Sequence, residues 1–330
     1  NFMIKKGLKK LFINLSRKLG YEIIDQNNFV SPTLEKELNE DLSQFNEKSI
    51  VLPLGAVRIF RKVKKLLIIL RTNSNIEIWD QNKKRIFEEK KIVYVEKSLK
   101  SLIKSIKFSE KKLPTIDIKL MILDDNSTQE NLTKIIKIFE EHKVNYEIFK
   151  HDITKYEKVI KEQKTKETFS NLSTLLTSFN LGKDSGEDLI FFVEDDYIHF
   201  ENMITEVVKT YERISSQLGS DIFICPSDYP FLYMNNEKAN IFIGNERHWR
   251  TINKSLCTFF TSKDLLNKYW NNFEKNCLDR HEPFEKYLNE IYEKEICISP
   301  MKSLSIHMAN INSSYGLSPF VDYKKIWEEN

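Results

Sequence analysis

The chain has 330 residues, which is enough for one large α/β domain or two smaller ones. It carries 51 lysines and arginines against 48 aspartates and glutamates, a net charge of +3, so nucleic acid is not expected as its partner. Only 8 glycines occur, and neither a G-x-G-x-x-G nor a G-x-x-x-x-G-K-S/T phosphate-binding loop is present.

The first segment, residues 4–19, places apolar side chains at helical spacing between lysines and arginines, which predicts a basic amphipathic helix. Such a helix either packs on its own protein, the interpretation we prefer, or lies on an anionic membrane. The four cysteines form no C-x-x-C pair and predict ordinary thiols in a reduced compartment. No apolar run spans a bilayer and no secretory signal is apparent. We therefore expect a cytoplasmic protein, with residues 4–19 as a potential peripheral contact at the inner membrane face.

Three regions are expected along the chain. Residues 1–48 hold the amphipathic helix and a linker or second short helix at 31–48. Residues 49–310 show no repeat and no low-complexity linker, which favours one continuous domain. Residues 311–330 form a C-terminal tail.

The continuous domain alternates apolar runs with amphipathic segments, which predicts an α/β fold with a mainly parallel sheet. Unbroken apolar runs are typical of strands buried on both faces. Strands are expected over 65–70, 76–79, 92–95, 118–123, 145–149, 189–193, 222–226 and 301–306. Helices are expected over 97–108, 132–139, 169–179, 204–211, 263–275 and 283–294. Ser127 with Glu130 three residues later predicts a capping box at the start of one helix.

Three carboxylates, Glu194-Asp195-Asp196, directly follow the apolar run 189–193. Burying unpaired charge is costly, so they should lie at the carboxyl end of the strand, where open α/β sheets bind ligands. Carboxylate oxygens suit Mg²⁺ or Mn²⁺, particularly a metal shared with a phosphate. The alternative is a solvated acidic turn. A second acidic turn, Asp124-Asp125, follows the run 118–123.

The ordered pair of acidic turns resembles the GT-A glycosyltransferases, in particular family 2, over roughly residues 65–215. Asp124-Asp125-Asn126-Ser127 matches a turn that opens a helix, and Glu194-Asp195-Asp196 matches a D-x-D-like metal motif after a buried strand. The resemblance implies a Rossmann-like three-layer α/β/α fold and a divalent metal, Mn²⁺ or Mg²⁺. It also implies a UDP- or GDP-sugar donor and a glycan or lipid-linked acceptor in surface polysaccharide or glycan biosynthesis.

The resemblance also assigns the donor-binding side chains. Asp125 would accept a hydrogen bond from the base of the nucleotide. Arg71 and Thr72, which end the first strand, would contact the same nucleotide, and Asp195 would hold the ribose or the sugar. Asn171 falls where the family often has an Arg-Asn pair, although the preceding residue here is Ser170.

The metal shell follows from the same resemblance. Asp196 would bind the divalent metal on the diphosphate, next to Glu194, where the family motif varies. His307 is late in the domain and would complete the shell, although a lone histidine is more often structural. His199 is interpreted as structural.

The catalytic base is expected near residue 282. Family 2 enzymes usually carry a Glu-Asp pair before a helix, where this chain has Glu282-Pro283. Glu282 is the first candidate for the general base, Asp279 the second and Asp228 the third. Charge complementarity with a helix N-terminus explains Glu282 equally well.

A basic and aromatic cluster, Arg247-His248-Trp249-Arg250, offers guanidinium groups for phosphate and an indole for stacking on a sugar or base. It is a candidate acceptor- or phosphate-binding segment. The alternative is a surface ion-pair cluster with Trp249 partly buried.

Two other functions remain open. A sugar nucleotidyltransferase would need an early glycine-rich basic loop, which is absent after residue 65. A non-catalytic nucleotide- or glycan-binding relative would be compatible with Pro283 at the position where the family usually has an aspartate.

Overall fold

The computed structural model describes residues 2–21, 23, 58–75, 85–161, 165–234, 238–309, 311 and 313–330. The predicted segments 31–48 and 76–79 lie outside these residues. The chain separates into two compact units, Asn1–Arg58 and Ile59–Asn330.

The first unit contains helix α1 (Phe2–Lys18), which confirms the predicted amphipathic helix. Its apolar side chains Leu8, Leu11, Phe12 and Leu15 are 57–68% exposed. Among the described helices of the chain, none is both long and apolar enough to cross a membrane.

The second unit is built around a nine-stranded sheet of described strands, ordered β3-β2-β1-β4-β9-β6-β10-β8-β7. A second, two-stranded sheet pairs β5 with β11. In chain order the strands are β1 (Lys65–Thr72), β2 (Asp117–Asp124), β3 (Tyr146–Lys150), β4 (Leu189–Glu194), β5 (Tyr197–His199), β6 (Phe223–Ile224), β7 (Ile241–Ile243), β8 (His248–Ile252), β9 (Phe259–Ser262), β10 (Cys297–Met301) and β11 (Ser305–His307). In the large sheet only β8 and β9 run against the other strands. The predicted mainly parallel sheet is therefore confirmed.

Helices cover both faces of this sheet. In chain order they are α2 (Lys91–Lys112), α3 (Gln129–His142), α4 (Lys166–Ser185), α5 (Met203–Leu218), α6 (Lys263–Lys268), α7 (Trp270–Leu278), α8 (Lys286–Tyr292) and α9 (Tyr323–Glu328). Alternate residues of β1 point to opposite faces, as a pleated strand requires. Leu66 and Ile68 join a core with α2, α3 and α5, whereas Leu67 and Ile69 join a core with α4, α6, α7 and α8. The predicted three-layer α/β/α class is confirmed.

Three local predictions are wrong. Residues 92–95 are the first turn of α2 and not a strand, because Ile92, Val95 and Leu99 bury one helical face. The segment 301–306 is divided between β10 and β11, which pair in different sheets. The N-cap of α3 is Thr128, which accepts a hydrogen bond from the Asn131 amide, and not Ser127.

The strand order determines where a ligand can bind. From β1 the chain moves outward to β2 and β3, and then returns to β4 on the other side of β1. Helices α2 and α3 lie on one face of the sheet and α4 lies on the other. The carboxyl ends of β1 and β4 therefore flank a topological switch point, the usual position of a ligand crevice in such sheets.

Candidate functional site

A polar cleft occupies this switch point, where three strands end side by side. Asn73, directly after β1, joins the two acidic turns through two hydrogen bonds. Its side-chain amide donates to Asp125 Oδ2 at 3.0 Å, and its backbone amide donates to Asp195 Oδ2 at 2.9 Å. The cleft has a larger part of about 560 Å³ on the Asp125 side and a smaller part of about 160 Å³ on the Asp195 side.

Asp125 is 6% exposed and lines both parts of the cleft. Besides the Asn73 amide, Asp125 Oδ2 accepts the hydroxyl of Ser170 in α4. Ser170 stands where the resembled family often has an arginine, and here it supports the carboxylate directly. Side chains from two other parts of the fold, Asn73 after β1 and Ser170 in α4, thus hold this carboxylate at the wall of the cleft.

Glu194, the last residue of β4, is paired with Arg71 of β1. Arg71 Nη2 lies 2.7 Å from Glu194 Oε1, and Arg71 Nη1 donates to Asn171 Oδ1 at 3.0 Å. Burial raises the pKa of Glu194, although Arg71 opposes this shift. Arg71, Asn171 and Glu194 therefore form one bonded group along the wall of the smaller cleft.

Asp195 is paired with Lys91, the first residue of α2. The Lys91 ammonium lies 2.5 Å from Asp195 Oδ1, and both side chains are at most 15% exposed. Thr72 is nearby in the same wall, and its buried hydroxyl has no hydrogen-bond partner among the described residues.

Asp196 faces His307 of β11, with 3.4 Å between Asp196 Oδ2 and His307 Nε2. Two further contacts fix the orientation of the imidazole: its Nδ1 donates to the Tyr315 carbonyl at 2.7 Å, and its ring stacks on Tyr197. Burial alone would raise the pKa of Asp196, but His307 and Lys91 outweigh it and lower that pKa. Asp196 is therefore ionised at neutral pH.

Asp196 could supply one ligand of a divalent metal, but the described side chains do not form a complete metal site. Asp196 Oδ1 is buried and has no hydrogen-bond partner in the described part of the chain, so one carboxylate oxygen is free to ligate. No group of three or more His, Cys, Asp or Glu side chains among the described residues is arranged to hold a metal ion. Mg²⁺ and similar ions commonly use one or two carboxylates together with substrate phosphates, and this donor set agrees with that pattern.

The first two predicted catalytic bases lie in an exposed loop between α7 and α8. The side chain of Glu282 is 81% exposed and lies 3.2 Å from Arg280. Asp279 lies 3.3 Å from Lys161. Neither residue lines the cleft at the strand ends.

The third predicted base, Asp228, is buried after β6. Its two oxygens lie 2.5 Å from Arg250 Nη2 and 2.5 Å from the Tyr233 hydroxyl. Burial raises the pKa of Asp228, with Tyr233 and Arg250 acting against the shift. Asp228 is thus already bonded through both oxygens.

The segment 247–250 does not form one binding face. β8 alternates its side chains, so Trp249 points into the core while His248 and Arg250 point the other way. Trp249 is completely buried, and its indole nitrogen lies 3.4 Å from Glu206 Oε1. The predicted stacking of a sugar on Trp249 is therefore wrong. Arg247 is committed to the Lys302 carbonyl at 2.7 Å.

Lys91 lines this cleft but was not among the predicted site residues. It belongs to a basic run, Lys90-Lys91, in front of a segment that the β-branched residues mark as a strand. If residues 91–112 had been predicted as a helix, its first residue, Lys91, would have been expected at the carboxyl edge of the sheet.

No protein-family model and no curated protein is similar to the chain in sequence. Solved structures of similar general arrangement include apo UDP-glucose pyrophosphorylase, at 10% identity and a TM-score of 0.40 over 74% of this chain and 93% of that one. The UTP-bound UGPase from Acinetobacter baumannii has 10% identity and a TM-score of 0.37 over 74% and 88%. The galactosyltransferase LgtC, in complex with donor and acceptor sugar analogs, has 8% identity and a TM-score of 0.36 over 70% and 72%. At these TM-scores the likeness adds nothing about substrate or reaction.

Proposed function

We propose that the chain is a metal-dependent glycosyltransferase that moves a sugar from a UDP- or GDP-sugar to a glycan or lipid-linked acceptor. One observation carries this proposal. Asn73 bonds to both Asp125 and Asp195 at the topological switch point of the sheet, so two carboxylates from different strands share one cleft. Asn73, Asp125 and Asp195 together extend over both parts of the cleft. This arrangement suits a ligand with a base at one end and a diphosphate at the other.

The donor would lie along the strand ends. Asp125 would accept a hydrogen bond from the base in the larger cleft part, and Asp195 would hold the ribose or the sugar. Thr72 would contact the nucleotide with its hydroxyl, which has no hydrogen-bond partner in the described part of the chain. The Arg71–Asn171 hydrogen bond would keep this wall in place.

The metal would bind at Asp196. Asp196 Oδ1 would be a ligand, with His307 beside it and the donor diphosphate supplying further oxygens. When bound, the metal would stabilise the negative charge that develops on the leaving nucleoside diphosphate. Glu194 is a weaker ligand candidate, because its carboxylate is already paired with Arg71.

In the transfer step, an acceptor hydroxyl oxygen forms the new bond to the anomeric carbon of the sugar. The bond from that carbon to the diphosphate oxygen breaks, and the nucleoside diphosphate leaves with the electron pair. A carboxylate takes the hydroxyl proton. Glu282 is our first candidate because its carboxylate is exposed, followed by Asp279 and Asp228.

The test is glycosyl transfer, or donor hydrolysis, with UDP- and GDP-sugars in the presence of Mn²⁺ or Mg²⁺. We expect turnover that EDTA abolishes and that Asp196→Ala lowers by roughly a hundredfold or more. Asp184→Ala is the matched control, because Asp184 is an exposed acid in α4. Full turnover of the Asp196→Ala variant would refute the metal assignment.

A non-catalytic nucleotide-binding protein is the second candidate function. The position of Glu282 favours it, since this carboxylate is paired with Arg280 and does not line the cleft, and so is not held against the donor. Metal-dependent binding of UDP or GDP without turnover over a wide panel of acceptors would support this alternative.

Helix α1 would bring the enzyme to a lipid-linked acceptor. Its exposed Leu11 and Leu15 would insert between the lipids, while its lysines would contact anionic headgroups. We expect the protein to sediment with phosphatidylglycerol vesicles and to stay in solution with phosphatidylcholine vesicles. A Leu11→Glu/Leu15→Glu variant should lose this binding, whereas Asn14→Glu, which also adds an acidic side chain to the helix, should largely keep it. Equal sedimentation of all three proteins would contradict this role.

A further inference from the structure

Lys91 is a buried cation in the smaller part of the cleft, and neither the predicted site nor the proposed donor contacts use it. It is the first residue of α2, and its side chain is 15% exposed. Its ammonium lies 2.5 Å from Asp195 Oδ1, while Asp195 Oδ2 accepts the Asn73 amide. Lys91 therefore reaches the cleft wall from a helix that carries none of the acidic residues of the cleft.

Lys91 is charged at neutral pH. Burial would lower its pKa, but Asp195 and Asp196 outweigh burial and raise it. A buried lysine ammonium has three donor hydrogens, and among the residues that the structure describes its carboxylate hydrogen-bond partner is Asp195. It can therefore accept a second anionic partner without leaving Asp195.

Arg71 is the other cation among the described residues that line this part of the cleft. Arg71 is committed, since its guanidinium bonds to both Glu194 and Asn171. A lysine on a four-carbon stem moves more freely than a guanidinium held at two points. Of these two cations, Lys91 is thus the one whose side chain can move to contact a ligand.

Two further features of the same place suit an anion. The N-cap of α2, Lys90, provides no side-chain hydrogen bond, and the positive end of this 22-residue helix begins at Lys91, which lines the cleft. Thr72 is 98% buried, since its exposure is 2%, and its hydroxyl lacks a partner within the described residues. Thr72 lines the cleft together with Lys91.

We propose that Lys91 binds the diphosphate of the nucleotide donor and stabilises the nucleoside diphosphate as it leaves. This inference rests on the proposed function, because it needs a nucleotide whose base lies towards Asp125. The ammonium would bridge Asp195 and a phosphate oxygen, and the Thr72 hydroxyl would donate to a neighbouring oxygen. Part of the affinity for the diphosphate would then be independent of metal.

The test compares a nucleoside diphosphate with its nucleoside, UDP with uridine and GDP with guanosine, by calorimetry in EDTA and again in Mn²⁺. A hydrogen bond to a charged group implies that Lys91→Met weakens diphosphate binding roughly ten- to a hundredfold. Binding of the nucleoside should change less than about threefold, because the nucleoside has no phosphate. Lys91→Arg keeps the charge and should recover part of the affinity. Lys90→Met, at the exposed neighbouring lysine, is the matched control.

Two results would overturn the inference. If Lys91→Met weakens the nucleoside as much as the diphosphate, Lys91 acts only by holding Asp195. If Lys91→Met leaves the diphosphate unaffected, Lys91 does not contact the phosphates. Should Lys91→Met fail to fold, Lys91→Gln and Lys91→Arg provide the same comparison. Failure of the unmodified protein to bind any of these nucleotides would instead refute the proposed function.

Discussion

The donor cleft and the 279–285 loop hold their carboxylates in different ways. Asp125 and Asp195 are 6% and 7% exposed, and Asn73 ties them together across sequence separations of 52 and 122 residues. Glu282 is 81% exposed, and its ion pair is with Arg280, two residues away. Hydrogen bonds between distant elements orient a side chain in the folded state. An exposed ion pair between residues close in sequence contributes little free energy to holding a side chain in one orientation. The proposed donor side is therefore preorganised, and the proposed acceptor side would be completed by the acceptor itself.

The largest effect should come from the loop, if Glu282 is the base. Glu282→Gln keeps the shape of the side chain but cannot take a proton, so we expect kcat for transfer to fall by about a hundredfold or more. The dissociation constant of the nucleoside diphosphate should stay the same, because Glu282 does not line the cleft. Steady-state transfer kinetics and calorimetry measure the two quantities.

Asp279→Asn serves as the comparison for this variant, since Asp279 belongs to the same loop. Unchanged kcat in Glu282→Gln together with a large loss in Asp279→Asn would transfer the role of the base to Asp279. Unchanged kcat in both variants would exclude both residues as the base and leave Asp228 as the remaining candidate.

The packing behind the donor cleft is tested by Trp327 of α9. Its ring is 8% exposed and stacks 4.4 Å from Phe87, next to the first turn of α2. Truncating a buried tryptophan leaves a cavity, so Trp327→Ala should lower the free energy of unfolding by about 3–5 kcal/mol. Urea unfolding measures this difference. Phe320→Ala is the control in the same tail, because Phe320 is 86% exposed, and a comparable loss in both variants would show that the tail does not pack as described.

The link between the two acidic turns is tested by Asn73→Ala. This change removes the amide that bonds to Asp125 and leaves the backbone bond to Asp195. The variant also loses the hydrogen bond that Asn73 Oδ1 accepts from the Asn75 amide. Loss of the support for Asp125 should weaken nucleoside diphosphate binding by roughly tenfold. Asn145→Ala, at an exposed asparagine, should have no effect on calorimetric affinity. Identical affinities in both variants would mean that Asn73 does not hold the donor side together.

The smallest expected effect is on the pH dependence of stability, and it comes from His199, the last residue of β5. Burial lowers the pKa of His199 to about 3, so the folded protein keeps this imidazole neutral. The unfolded chain binds a proton below its ordinary pKa of about 6.5, so stability is complete above that pH and falls as the pH drops towards 3. Unfolding midpoints between pH 7 and 4.5 should fall less steeply for His199→Gln than for the unmodified protein. His142→Gln, at an exposed histidine, should retain the original slope; equal slopes in all three would contradict the burial argument.

The strands β1, β2 and β4 were predictable because they are unbroken apolar runs that lead into charged residues, whereas β7, β8 and β9 were not predicted. Val193 and Glu194 mark such an end without ambiguity, and the parallel arrangement then brings this end next to Arg71. The run 92–95 misled because β-branched residues occur both in strands and in the buried face of a helix. Its role was decided by Leu99 and the residues beyond it, which continue the helical period.

The pairing of side chains within the site was not predictable. Lys91 and Asp195 are 104 residues apart, and no local pattern indicates that they meet. Trp249 looked like a binding residue because its neighbours are charged, but the pleat of β8 turns it into the core towards Glu206. Long-range contacts of this kind depend on the register of strands, which composition does not encode.

The central claim, a metal-assisted nucleoside diphosphate site at the ends of β1, β2 and β4, is tested most directly by thermal unfolding with UDP or GDP, with and without Mn²⁺. A ligand present at a hundred times its dissociation constant stabilises the folded state by about 2.7 kcal/mol, which raises the unfolding midpoint by several degrees. We predict such a shift for at least one diphosphate in Mn²⁺, and a much smaller one for the Asp196→Ala variant. The absence of a shift with every nucleoside diphosphate, or an equal shift in Asp196→Ala, would contradict the account.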